Sequence, residues 1–423
     1  MDYKIYKYTP FNIHCIKTDK FKAKNLQLIF RSETNKMDYL TTNFLLNVLF
    51  KGSKEYPNKK LLALKSEELY NSTVSFSNSR LGYDKIVKFN LNFLDNSFTE
   101  EENEINCIKY LKSIIFNPNI KNNRFDEKII SEVRNIFQEE LDASKDNKQT
   151  YAYELLFESL DKDSPFNFVH YKEKDLNLIT NKMLIKAYND LINKSIVDIF
   201  IVGNLDNKYH EFLNKQFSNI KTLKKDKDKR EYTCKKIRKN IKKKTIIDKD
   251  TKQTQFIMSF NTVNLTTREK LYVMPLFISC FGGLPSSLLF TEIREKLSLC
   301  YIIRSYYSSF DNKMFIYAGI SNENIDKTYK AIAKILKAFK NNSNIDNILK
   351  KAKKSIENSI ISSFDYPKSI IRDYYMNHVY NESEYIYKYE FYESVSKDEI
   401  NYLIDKIIPE MMFCLTKGED YEK

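Results

Sequence analysis

The sequence predicts an α+β protein of two homologous domains in tandem, each an antiparallel-rich sheet covered on one face by helices. Three observations predict it. Period-2 apolar runs, several of them paired as hairpins, alternate with long amphipathic helical segments. The same order of elements occurs twice, with corresponding pieces roughly 215–230 residues apart, far longer than the ~20–50-residue period of a solenoid. Between the two copies lies a strongly basic, apolar-poor stretch that reads as a connector.

The first copy opens with a strand over 25–30 and an apolar helix over about 39–50. A hairpin follows, 72–78 then 85–94, around Arg80-Leu81-Gly82. Amphipathic helices cover about 101–115 and 126–143, Thr180 caps a helix reaching about 192, and the copy closes with a strand over 197–203. The second copy runs in the same order. A strand spans 254–261, an apolar helix about 271–281, and a hairpin 299–308 then 313–320, around Asp311-Asn312. Helices follow at about 325–340 and 345–362, Ser396 caps a helix to about 407, and a strand over 411–415 ends before Gly418. Thr180 lies 23 residues before Gly203, and Ser396 lies 22 before Gly418. The expected domains are therefore 1–220 and 253–423, joined by a basic linker, 221–252. The open edge of such a sheet can take an extended peptide as an added strand.

Composition sets limits. The chain has 423 residues, with 42% apolar and 30% charged, enough for two or three domains. Its 30 Tyr and 29 Phe argue for packed cores. No apolar run approaches the ~18 residues of a membrane span. The start lacks a basic segment followed by an apolar one, so no signal peptide is expected. Six scattered cysteines without a Cys-x-x-Cys pair point to reduced thiols and a cytoplasmic setting. The net charge is +13, but 221–252 holds 15 Lys/Arg against 5 Asp/Glu, so all but +3 of it sits there. With no nucleic-acid-binding signature beside it, a solvated linker explains that charge, and neither nucleic acid nor membrane is expected as a partner. The four histidines, His14, His170, His210 and His378, are too far apart in sequence for one helix face to offer two imidazoles to a metal.

Two segments carry the functional reading. One is Thr42-Asn43-Phe44-Leu45-Leu46-Asn47-Val48-Leu49-Phe50-Lys51-Gly52. The other runs from Phe281-Gly282-Gly283-Leu284 through Leu289-Phe290 and Arg294-Glu295-Lys296 to Tyr301. Over the whole chain, duplication included, the sequence resembles the insulinase/pitrilysin zinc peptidases, relatives of the mitochondrial processing peptidase. That family carries His-x-x-Glu-His before a Leu-Phe-Lys-Gly turn in its first domain. Its second domain carries a glycine-rich loop, then Leu-Phe, Arg-Glu-Lys and a Tyr seven residues after the Arg.

The second-domain motif is in register here, whereas the first departs where the chemistry would live. Asn43 and Asn47 stand at the two His positions, Leu46 at the Glu position, and Glu140 matches the family's distal ligand. An amide is a poor zinc ligand, Leu moves no proton, and one carboxylate holds no zinc. No metal site is expected at these positions, and only one assembled from distant segments stays open.

The resemblance implies that Arg294 and Tyr301 hold a peptide and stabilise its oxyanion at the zinc site of another domain or subunit. Arg294 offers a fixed charge and a planar fork of donors, and Tyr301 a neutral donor on a rigid ring. On a continuous helix, seven residues turn ~700°, which would put both on one face. Gly282 and Gly283, with Leu284, would let an extended peptide approach, the glycines through positive φ. The expected protein is the degenerate half of a clam-like heterodimeric metallopeptidase. A catalytic paralogue with an intact His-x-x-Glu-His would bring zinc, and the substrate would be a short or unfolded peptide.

Plainer readings stand beside these. Arg294 could be a surface ion pair with Glu292 or Glu295, Tyr301 a core aromatic, and Glu140 a solvated or helix-paired acid. The whole chain could be a non-catalytic scaffold of the same fold. A peptidase acting alone through unrelated chemistry is the remotest alternative.

Overall fold

The structure, a computed structural model, describes residues 1–160, 164–220, 241–381 and 386–417. It divides into two compact units. The first comprises Met1–Asp142, the described residues from Phe168 to Ile220, and Tyr366–Met376. The second comprises the described residues of 143–167, the chain from Ile241 to Asp365, and the described residues from Asn377 on.

The first unit holds six strands: β1 (Asp2–Lys7), β2 (Asn12–Lys17), β3 (Ala23–Glu33), β4 (Thr73–Leu81), β5 (Asp84–Leu94) and β6 (Ile196–Gly203). They lie in the order β1-β2-β6-β3-β5-β4, antiparallel except for the parallel pair β2/β6. Alternation along β3 and β5 sends Leu26, Leu28, Phe30, Val87, Phe89 and Leu91 to one face, where they pack on a helical layer. That layer contains Lys36–Leu49, Asn103–Phe116, Glu127–Asp146 and Asn181–Lys194, the last capped by Thr180. The opposite face is mixed: beside buried Ile29, Ile86 and Phe200, Gln27 Nε2 donates to Asn90 Oδ1 (3.2 Å), and Arg31 pairs with Asp84 (3.4 Å). On the same side Tyr375, from Tyr366–Met376, packs edge-on against Phe200.

The second unit holds five: β7 (Lys242–Ile247), β8 (Thr254–Thr262), β9 (Cys300–Ser308), β10 (Lys313–Ile320) and β11 (Ile407–Thr416). Their order is β7-β11-β8-β10-β9, with β7/β11 the one parallel pair of this sheet. Leaving β1 aside, the first sheet reads β2-β6-β3-β5-β4. The two orders correspond strand for strand, with the parallel pair at the same end. The duplication expected from the sequence is thus visible in the topology.

Three features differ from the sequence reading. The basic linker 221–252 is not a connector throughout, because Lys242–Ile247 within it is β7, the counterpart of β2. Three successive lysines concealed that strand. On a sheet edge both faces of a strand can stay solvated, and lysine there discourages pairing with other chains. Residues 221–240 of that linker lie outside the described residues. Secondly, helix Lys148–Ser159 comes from the first half of the sequence but buries Ala152, Leu156 and Phe157 against Ile257, Phe315 and Phe413 of the second sheet. Thirdly, the apolar helix over 271–281 is Glu269–Gly283, in which wide i→i+5 turns flank a short α-helical piece, Met274–Ile278. Pro275 lacks the N–H that a regular ladder needs there.

Two ion pairs brace the second unit. Arg268 Nε donates to Glu399 Oε1 at 2.7 Å, and Lys406 Nζ lies 2.7 Å from Glu269 Oε1. The hydrogen bond from Arg268 holds the Glu399 carboxyl below its ordinary range. Burial pushes the Glu269 carboxyl up, but Lys406 and the Thr266 N–H and hydroxyl outweigh it, and the net shift is downward. A carboxylate whose folded pKa is depressed stabilises the fold above its unfolded pKa, ~4.3 for Glu, and loses that contribution as pH falls through the folded value. Stability should therefore fall on acidification below about pH 5. Chemical denaturation from pH 7 to pH 3 checks this: Glu269→Gln and Glu399→Gln should each flatten the acid limb, and an unchanged limb in both would contradict it.

Candidate functional site

The zinc-motif positions and the Arg–Tyr positions fall in different units, and each is a local structure of its own.

In the first unit, Asn35 caps helix Lys36–Leu49 and accepts from the Asp38 N–H. Asn43, Leu46 and Asn47 lie one turn apart on this helix, as the sequence spacing requires. Their environment is that of a structural element. Asn43 Oδ1 accepts from Asn78 Nδ2 (2.8 Å), and Asn47 Nδ2 donates back to the Asn43 carbonyl (3.0 Å). The Tyr39 hydroxyl donates to the Asn78 carbonyl (3.1 Å), tying the cluster to β4. Leu46 is wholly buried in the hydrophobic core. Beside it, Phe44 packs on Phe137, and the Arg134 guanidinium lies over the Phe44 ring.

Glu140 is exposed on helix Glu127–Asp146. Among the described residues it makes no hydrogen bond or ion pair and joins no group of metal-ligating His, Cys, Asp or Glu side chains. It is the solvated acid of the plainer reading. A zinc ion does not fit these positions: two neutral amides already engaged with protein and a core leucine leave a single exposed carboxylate.

The second unit presents the opposite picture. After Gly283 the chain turns out through Leu284, which is extended (φ −119°, ψ 157°), and re-enters a wide-turned helix over Phe290–Lys296. That helix ends before Tyr301, so a continuous helix does not align Arg294 with Tyr301. Ser298 takes a left-handed conformation (φ 52°) and reverses the chain into β9, which carries Tyr301. The Arg294 guanidinium lies 4.4 Å from the Phe290 ring centroid and 5.3 Å from that of Tyr301. Such stacking holds a planar cation in place while leaving its N–H edge free.

The plainer readings of both residues fail. Glu292 pairs with Lys296 (2.7 Å), and Arg294 has no carboxylate partner among the described residues. Tyr301 is 79% exposed and belongs to no core. Cys300 lies beside them; burial pushes its thiol up to about 11, with the Arg294 charge acting the other way. That thiol is a poor nucleophile at neutral pH.

The glycine pair acts otherwise than the sequence suggested. Neither Gly282 nor Gly283 has positive φ. A Cβ on Gly282 would stand 2.7 Å from Ser305 Oγ and 2.9 Å from Leu289 Cδ1, and one on Gly283 would stand 3.0 Å from the Ile278 carbonyl. Gly282 is therefore needed for close packing of the loop under β9, which fixes where the Arg294 helix begins. Sequence reasoning missed Asn78, and it named Phe290 only within the Leu-Phe motif, without its stacking role. Phe290 had a readable signal, since an aromatic four residues before an Arg on a helix can stack on it. Asn78 had none, because its partner is 35 residues away.

The duplicated α+β chain thus sets an arginine, without a carboxylate partner among the described residues, beside an exposed tyrosine, and amides and a leucine at the zinc-motif positions. Comparison with known proteins finds peptidase-like relatives. Residues 178–356 match the Peptidase M16 inactive domain. The probable inactive metalloprotease YmfF of Bacillus subtilis (strain 168) is 25% identical over 370 residues, covering 85% of this chain and 84% of that protein. An uncharacterized zinc protease of Rickettsia bellii is 27% identical over 287 residues, 67% of this chain and 64% of that one. Among solved structures, a conserved protein of Enterococcus faecalis V583 superposes with a TM-score of 0.87 at 22% identity, covering 97% of both chains. A peptidase M16 inactive domain from Pseudomonas fluorescens superposes with a TM-score of 0.76 at 17% identity over the full length of both. The chain thus resembles M16 peptidases over residues 178–356 and shares their two-unit α+β fold. No helix among the described residues is long and apolar enough to cross a membrane.

Proposed function

We propose that this chain is the Arg/Tyr subunit of a heterodimeric M16-type metallopeptidase, whose catalytic paralogue carries an intact His-x-x-Glu-His and the zinc ion. The observation that carries the reading is the state of Arg294: no carboxylate among the described residues neutralises it, two rings hold it, and an exposed tyrosine stands beside it. In this role Arg294 and the Tyr301 hydroxyl donate to the peptide carbonyl as it gains negative charge. Leu284 and the backbone at Gly282-Gly283 flank the extended substrate. The partner's metal supplies the activated water. The domains expected at 1–220 and 253–423 act as the two peptidase-like domains, the second extended to take in β7 and helix Lys148–Ser159. Cys15, Cys107, Cys280, Cys300 and Cys414 are free thiols, which supports a cytoplasmic, reducing setting.

Co-purification with such a paralogue tests the proposal, with cleavage of an unstructured peptide as the readout. Cleavage should require both chains, and Tyr301→Phe should slow it without changing complex formation. If Tyr301→Phe and Arg294→Ala both cleave at the full rate, the chain is a scaffold of the same fold.

A further inference from the structure

A cleft of about 390 Å³ opens in the second unit between helix Ile325–Ala338 and the sheet. Met258 and Phe260 of β8, Tyr329, Ile332 and Leu336 of the helix, and Pro409 of β11 form its walls. It falls within the ~300–1,000 Å³ range of small-ligand sites. The helix is sharply two-sided. Thr328 and Ile332 are buried, whereas Lys327, Lys330, Lys334 and Lys337, spaced 3, 4 and 3 residues apart, stand exposed along one stripe.

The charge pattern of that stripe is unusual. None of the four lysines has a carboxylate partner among the described residues. Of the nearby acids, Asp405, which also lines the cleft, pairs with Lys340 (2.7 Å), Asp326 lies 3.9 Å from Lys243, and Glu323 stands exposed one turn before Lys327. Lys337 lines the apolar cleft itself. With Lys330 and Lys334 it also lines a shallow depression alongside. An open apolar cleft and a row of like charges are each unfavourable in water, and a single ligand can relieve both.

The geometry points to a binding site for a single-chain amphiphile with a carboxylate head, a fatty acid, its chain in the cleft and its head on Lys334 and Lys337. A membrane surface fits less well, because Thr328 and Ile332, on the inner face of the helix, are buried and the exposed stripe carries lysines rather than apolar side chains.

Calorimetric titration of the full chain with dodecanoate below its micelle threshold tests the site. Saturable one-to-one binding is expected. Butyrate, which lacks the chain, and dodecyltrimethylammonium, which reverses the head charge, should each bind at least about tenfold more weakly. Lys334→Glu with Lys337→Glu should weaken dodecanoate about tenfold, and these exposed substitutions leave the fold intact. Ala333→Phe, which fills the cleft, should abolish binding. The inference is overturned by absence of saturable binding, by equal binding in the lysine double variant, or by capture on anionic phosphatidylglycerol vesicles without binding of the monomeric acid.

Discussion

In the two-chain peptidase proposed above, Arg294→Ala should lower kcat by about 10²–10³-fold, the effect of removing one preorganised oxyanion donor. The size follows from the surroundings of the guanidinium. Phe290 and Tyr301 hold it in advance, so little reorganisation is needed when charge develops on the substrate. Among the described residues no ion pair is lost with it, so the melting temperature of the isolated chain should barely move, as for surface substitutions worth under ~0.5 kcal/mol. Arg294→Lys should restore only part of the rate, because an ammonium keeps the charge but loses the planar fork and much of the stacking. Steady-state kinetics separate the alternatives. A rise in KM at constant kcat would reduce Arg294 to a ground-state contact, and an unchanged kcat/KM would remove it from the mechanism.

Leu46→Glu, which places there the acid that the family resemblance implies for this position, should unfold the first unit or leave it only marginally stable. Leu46 is wholly buried among core side chains, and an uncompensated carboxylate there carries a cost of several kcal/mol. Leu46→Ala isolates the packing part and should cost about 2–5 kcal/mol in urea denaturation, as for other buried leucines. The triple change Asn43→His, Leu46→Glu and Asn47→His should therefore yield a weakened protein before it yields a metal site. A neutral Leu46→Glu would mean that the helix still faces an open cavity, contrary to the core packing described above.

Much of this was legible in the sequence, for physical reasons that differ by element. The β3, β5, β8 and β10 strands announced themselves through period-2 patterns, because each has an apolar face against helices. The helix caps at Thr180 and Ser396 were readable because capping is local. β7 was hidden because edge strands need no apolar alternation. The placement of Lys148–Ser159 was hidden because sequence proximity says nothing about which sheet an apolar helix stripe will cover. At the site, the identities of Arg294 and Tyr301 were legible and the route that joins them was not. It depends on the left-handed turn at Ser298, a residue with no strong preference for that conformation. The glycine pair was read through backbone freedom, whereas close packing against Ser305 and Leu289 is what excludes a side chain at Gly282.

Zinc analysis of the purified chain, with peptide hydrolysis assayed before and after adding a paralogue that carries His-x-x-Glu-His, tests the central claim most directly. The account predicts far less than one zinc per chain, no hydrolysis by the chain alone, and cleavage only in the mixture. One tightly held zinc per chain, together with hydrolysis by the chain alone that is lost in Glu140→Gln, would contradict it.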